Sequence, residues 1–102
     1  VTSSALNKWS HFDIGRVSMT NAATAALEEA RVESILLLHR HIHGDWGDLD
    51  AHDKMQNNLA ILLGQRLLSA YDLPTGKTIW VLTTANRAST TLLLKDPSGL
   101  AP

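Results

Sequence analysis

The apolar residues of this chain change their period at Gly64, and that change limits it to a fold of mixed class. Before it, Met55, Leu59, Leu62 and Leu63 recur at i, i+4, i+7 and i+8, the spacing that lines one face of an α-helix. After it come residues 66–73, 77–84 and 89–94, three short runs rich in Leu, Val, Ile, Thr and aromatic residues. Pro74-Thr75-Gly76 separates the first two, and Ala85-Asn86-Arg87-Ala88 the second pair. Connections this short join antiparallel neighbours, so the segment beyond Gly64 is predicted to be a three-stranded antiparallel meander.

Upstream of the stripe the signals are helical. Residues 14–19 alternate enough for a short strand, although Gly15 weakens it. Thr20 and Asn21 offer an N-cap to the Ala-rich stretch 22–30. Ser34 is placed to cap a second helix over 35–43, with Gly44 at its C-terminal end, where a left-handed residue is favoured. Asp50 and Asp53 have capping-box spacing for a third helix, which Gly64 ends. The Met55–Leu59–Leu62–Leu63 stripe is expected to pack on the meander, with Asp50, Asp53 and Asn57 forming a polar line that faces away from it. The fold class is therefore α+β: a short N-terminal strand, three helices, then the meander. Residues 14–95 make one domain, with 1–13 as an N-terminal arm and 96–102 as an irregular tail.

Charge and composition exclude several function classes. Nine Lys and Arg against ten Asp and Glu give a net charge of −1, without the basic excess of a non-specific nucleic-acid binder. The absence of cysteine removes disulfides and thiolate metal sites. No apolar run approaches the length that spans a bilayer, and residues 1–9 lack the apolar core of a signal peptide, so a cytoplasmic location and no membrane partner are expected.

Chemistry-bearing side chains concentrate in residues 40–54, between the second and third helices. His41, Asp45, Trp46, Asp48 and Asp53, with Asn57 just beyond, are the candidate binding residues. A structural reading stands beside this one. Asp48 and Asp50 precede a helix and Asp53 lies in its first turn, where the dipole favours negative charge. Trp46, between two flexible positions, can fold back as an anchor whose indole N–H seeks an acceptor. On that reading His41 is also structural, its ring bonded to the loop that begins three residues later. His39 and His43 have the i, i+4 spacing of a metal pair that Asp45 or Asp48 can complete, yet no second His pair exists, and neither metal nor cofactor is expected. A calcium loop counted from Asp48 fails at His52, Asp53 and Lys54. Ser69 is in no nucleophile elbow, and no Gly-rich phosphate loop occurs.

Arg40-His41, Gly44-Asp45-Trp46-Gly47-Asp48-Leu49, Asp53-Lys54, Asn57, Arg66-Leu67-Leu68-Ser69-Ala70-Tyr71, Ile79-Trp80-Val81 and Thr90-Thr91-Leu92-Leu93-Leu94 together resemble a family of short bacterial proteins carried on plasmids, integrative elements and other mobile DNA. The resemblance covers residues 14–94 and brings no established activity with it. Members tend to carry acids before the final strand, where this chain has Thr84-Ala85-Asn86-Arg87, and an acidic ending where it has Lys95-Asp96-Pro97.

Two functions follow as expectations. The first is a non-enzymatic protein-binding or accessory module that self-associates or docks on a host or element-encoded protein. A free sheet edge, or Trp9 and Phe12 of the arm, would serve as its docking elements. The alternative is a metal-independent endoribonuclease of bacterial-toxin type. There His41 is the base, Arg66 and Arg87 clamp phosphate, and Tyr71, Ser69 or Thr91 orient the substrate.

Overall fold

The computed structural model describes residues 10–96; Trp9 and residues 97–102 of the expected tail lie outside them. Within the described residues the elements run β1 (Arg16–Met19), α1 (Asn21–Ala30), α2 (Ser34–Ile42), α3 (Ala51–Leu63), β2 (Leu67–Asp72), β3 (Thr78–Thr83) and β4 (Ser89–Leu94). This is an α+β arrangement of three helices and one mixed four-stranded sheet, ordered β1-β4-β3-β2. β2, β3 and β4 are antiparallel, with Ser69 opposite Val81 and Val81 opposite Leu92.

The N-terminal strand adds to β4 in parallel, Val17 opposite Thr90, a pairing that sequence pattern did not reveal. Gly15 permits it. Its φ is +61°, and a Cβ there would stand 2.2 Å from the Ala88 carbonyl oxygen. Only a glycine lets the chain pass so close that the Arg16 N–H donates to that carbonyl at 2.9 Å. The chain thus enters at one edge of the sheet, runs through all three helices and returns at the other edge.

Strand alternation sends Tyr71, Ile79, Val81 and Leu92 to one face, where Ala23, Ala26 and Leu27 of α1 and Leu37 and Leu38 of α2 cover them. Each such Leu, Ile or Val contributes about 1.5–3 kcal/mol by leaving water. Thr20 starts α1 by accepting from the Ala23 N–H at 3.1 Å, and Arg31 ends it in the left-handed region. For α2 the N-cap is Glu33, which makes no side-chain bond, in place of the expected Ser34.

The largest departure from the sequence pattern is α3. Its stripe does not pack on the meander: Met55 is 60 % exposed, Leu59 43 %, Leu62 80 % and Leu63 65 %. The buried residues are Asn57 and Ala60; of the expected polar line Asn57 turns to the protein, while Asp50 and Asp53 stay exposed. α3 lies against the outer edge of β2, with Ala60 in a small second core beside Trp46 and Leu67. An edge strand offers backbone N–H and C=O groups, and Asn57 can satisfy these where leucine cannot.

Replacing Leu92, wholly buried, with Ala should cost about 2–5 kcal/mol. Leu62→Ala in dilute solution should change stability by less than about 0.5 kcal/mol. Urea unfolding of both variants measures the difference; equal losses would place the α3 stripe in the core.

Candidate functional site

The Gly44–Leu49 loop closes the outer edge of β2. Gly47 forms a parallel bridge to Ala70, with the Ala70 N–H donating to Trp46 O at 3.2 Å and the Asp48 N–H to Ala70 O at 2.7 Å. On one side of this bridge the Asp48 carboxylate accepts from the Asp72 N–H at 2.8 Å. On the other, the Asn57 amide takes both backbone groups of Leu68, donating to its carbonyl at 2.8 Å and accepting from its N–H at 3.1 Å. Gly47 is required at the crossing, because a Cβ there would lie 2.0 Å from Ala70 O and 2.6 Å from the Tyr71 ring.

The same loop is braced from within. Arg40 grips the Asp45 carboxylate with two bonds, Nε at 2.7 Å and Nη2 at 3.2 Å, and the Gly47 N–H donates to it at 3.1 Å. That pairing holds the Asp45 carboxyl below the usual carboxylate range. Arg40 also lies 4.6 Å over the Tyr71 ring. The Tyr71 hydroxyl donates to Asp45 O at 2.6 Å, and burial pushes its pKa up. Trp46, 3 % exposed, donates its indole N–H to Asn58 at 2.9 Å. Asp50 caps α3 by accepting from the Asp53 N–H at 2.8 Å.

His41 is wholly buried, and its ring bonds to the sheet and not to the loop that follows it. Nδ1 meets Ser69 Oγ at 2.5 Å, Nε2 meets Thr83 Oγ1 at 2.9 Å, and Thr83 in turn meets Thr90 Oγ1 at 2.7 Å. Thr90 donates to Ile14 O at 2.8 Å. That last partner fixes the direction of the whole chain. A carbonyl only accepts, so the Thr90 proton is committed to Ile14 and Thr90 accepts from Thr83. Thr83 must then accept from the Nε2–H of His41, and Nδ1 accepts from Ser69. One neutral tautomer satisfies every link. Phe12 packs edge-on against this ring with centroids 5.1 Å apart and stacks on Trp46 at 6.1 Å, so this part of the arm belongs to the domain. Burial first, then the charge of Arg87, pushes the His41 pKa down to about 3.

Arg87 is a helix cap at a distance. In the β3–β4 turn, with φ +61°, it donates Nη2 to Ala60 O at 3.1 Å and Nη1 to Gln65 O at 2.6 Å and Thr84 O at 3.0 Å. Its charge sits at the negative end of the α3 dipole. Arg66 lies elsewhere, lining a groove of about 480 Å³ with Asp53, Gln56, Asn57, Gln65 and Leu68. His41, Arg66, Arg87 and Tyr71 therefore do not converge on one cleft. His39 and His43 lie ring against ring with centroids 4.3 Å apart and planes tilted by 39°, and His43 Nδ1 is bonded to His39 O. Among the described residues no group of three or more His, Asp or Glu is arranged to hold a metal ion, and no buried side-chain nitrogen or oxygen lacks a partner.

Comparison with protein-family models, with curated proteins and with solved structures finds no match to this chain. Among the described residues no helix is long and apolar enough to cross a membrane. The site must therefore be read from its own geometry. The loop's carboxylates Asp45 and Asp48 are exposed but engaged in bracing the loop and the β2 edge, whereas from Met55 to Leu63 the exposed residues of α3 are Met55, Gln56, Asn58, Leu59, Leu62 and Leu63, with Asp53 and Lys54 charged just before them. Sequence reasoning found this stripe but assigned it to the core. The signal against that assignment was the Asn57–Ala60 pair, three residues apart, a small flat face suited to close approach on a strand edge.

Asn57→Ala should cost about 1–3 kcal/mol, because two backbone groups of Leu68 lose their partner, while Asn57→Gln should fail to restore it. Thermal unfolding checks both.

Acid stability gives a further check. The unfolded chain protonates His41 below about 6.5, whereas the folded one holds it neutral to about 3. Its stabilising contribution is present in full above 6.5 and lost as pH falls through that window, by at most about 1.4 kcal/mol per pH unit. The lowered Asp45 carboxyl adds its own loss only below about pH 4. In His41→Gln the slope of stability between pH 4 and 6.5 should therefore flatten; an unchanged slope would show that His41 is protonated in the fold.

Proposed function

We propose that this protein is a non-enzymatic protein-binding module whose docking surface is the outer face of α3. The carrying observation is the exposure of Met55, Leu59, Leu62 and Leu63 in one contiguous stripe. Isolated exposed apolar residues are ordinary, but a whole helix face of them is costly in water and marks interaction surfaces. A helix that presents anchors at i, i+4 and i+7 docks by laying that face against an apolar groove or another helix. The resemblance to short proteins of mobile DNA agrees with an accessory factor that acts by binding a protein of the host or of the element.

The endoribonuclease reading finds less support. A general base must reach its substrate, and His41 has no exposed surface, with both ring nitrogens engaged. Arg87 has its guanidinium spent on carbonyl oxygens, and the Tyr71 hydroxyl donates to Asp45 O.

A photo-crosslinking residue at position 62 should yield a discrete protein adduct in the expressing cell, while the same residue at Thr75, in the β2–β3 turn, should not. Absence of any adduct at 62, together with His41-dependent RNA cleavage by a metal-free preparation, would replace the binding reading with the enzymatic one.

A further inference from the structure

We infer that the outer face of α3 is occupied by a second copy of this chain, the two helices packing antiparallel about a two-fold axis at Leu59. This inference rests on the protein-binding reading above and names the partner.

Three features of the helix lead to it. First, three of the four stripe residues are related by symmetry about Leu59, and the fourth, Leu62, is set against the uncharged Gln56. Met55 and Leu63 stand four residues on either side of Leu59, so reversing the helix about Leu59 sets Met55 of one copy against Leu63 of the other and Leu59 against itself. The Met55–Leu59–Leu62 spacing of four and three residues is that of an interhelical seam, in which each side chain enters a hole between its partners. Second, the face has no Asp, Glu, Lys or Arg from position 55 to 63, so self-pairing brings no like charges together, and the face has no formal charge with which to select a charged partner. Third, the ends of the helix differ in sign. At its N-terminal end Asp48, Asp50 and Asp53 outnumber the one cation Lys54, and Arg66 lies just past its C-terminal end. An antiparallel pair places each acidic end beside the basic end of the other copy and opposes the two helix dipoles; a parallel pair would set acid against acid.

The geometry of α3 leaves room for this arrangement. Its inner side is committed to β2 through Asn57, Ala60 and the Arg87 cap, so docking requires no rearrangement of the fold. Among the described residues the opposite edge of the sheet, β1, has no further strand beside it, and all four of its residues are exposed. It lies on the far side of the sheet from α3, and so gives the test a competing route to self-association.

The chain has no cysteine, which makes single-cysteine cross-linking clean. Under mild oxidation, full-length Leu59→Cys should form a disulfide-linked dimer. Met55→Cys mixed with Leu63→Cys should form the mixed dimer at least about tenfold faster than either forms its own, since only the 55–63 pair comes within bridging distance. Sedimentation equilibrium of the wild type should show a dimer. Leu59→Glu should show a monomer of unchanged helical circular dichroism, and Val17→Glu on β1 should remain a dimer. Self-linking of 55 and of 63 in preference to the mixed pair would mean a parallel arrangement and overturn the inference. So would a dimer that Val17→Glu dissolves and Leu59→Glu does not. A wild type that stays monomeric at high concentration also overturns it; a foreign adduct at position 62 would then leave the protein-binding reading standing with a different partner.

Discussion

The outer edge of β2 governs much of this structure. An edge strand in an antiparallel sheet leaves alternate residues with backbone donors and acceptors directed away from the sheet, and each must find water or a partner. Here Leu68, Ala70 and Asp72 face outward in that sense. Asn57, the Trp46–Asp48 backbone and the Asp48 carboxylate serve them in turn. Satisfying those groups determines where α3 lies and which of its faces is inward. Because the amide of Asn57 must reach Leu68, the helix is rotated so that its leucines face out. The exposed stripe is thus a consequence of how the edge is sealed, and the binding reading follows from the same constraint.

A second constraint lies in the interior. Polar side chains from α2, β2, β3 and β4 form one hydrogen-bonded chain from Ser69 through His41, Thr83 and Thr90 to the Ile14 carbonyl. Burying four polar side chains is tolerable because every donor has an acceptor and the chain has a single consistent direction. This network joins the helical layer, the sheet and the segment leading into β1. Within it the His41 imidazole is neutral, desolvated and bonded through both ring nitrogens. Arg87 contributes in two ways, capping α3 and disfavouring a second positive charge at His41.

The residues differ in how readily their roles could be read from sequence. The helical stripe, the capping aspartate Asp50 and the left-handed Gly64 announced α3, since these depend only on neighbours in the chain. The strand runs and their short turns announced the meander for the same reason. Trp46 was legible as an anchor in need of an acceptor, although Asn58 as that acceptor was not. The parallel pairing of β1 with β4 depends on residues more than seventy positions apart and on the close passage allowed by Gly15, which no local pattern encodes. Arg87 entered the sequence reading only as a phosphate clamp; its capping role was not legible, because its partners belong to the end of a helix that precedes it by two strands.

By itself, then, the amino-acid order determined the elements, most of their ends, and the alternation that gives the sheet an apolar face. Those features arise from interactions within a few residues: helix propensity, caps, turn chemistry and side-chain period. The tertiary structure alone decided which side of α3 is buried, which tautomer His41 holds, and which edge of the sheet stays open. Each of these depends on how unsatisfied backbone and side-chain polar groups from distant segments find one another once they leave water. A hydrophobic pattern records that a helix has an apolar face; it does not record whether that face meets the protein's own core or another surface.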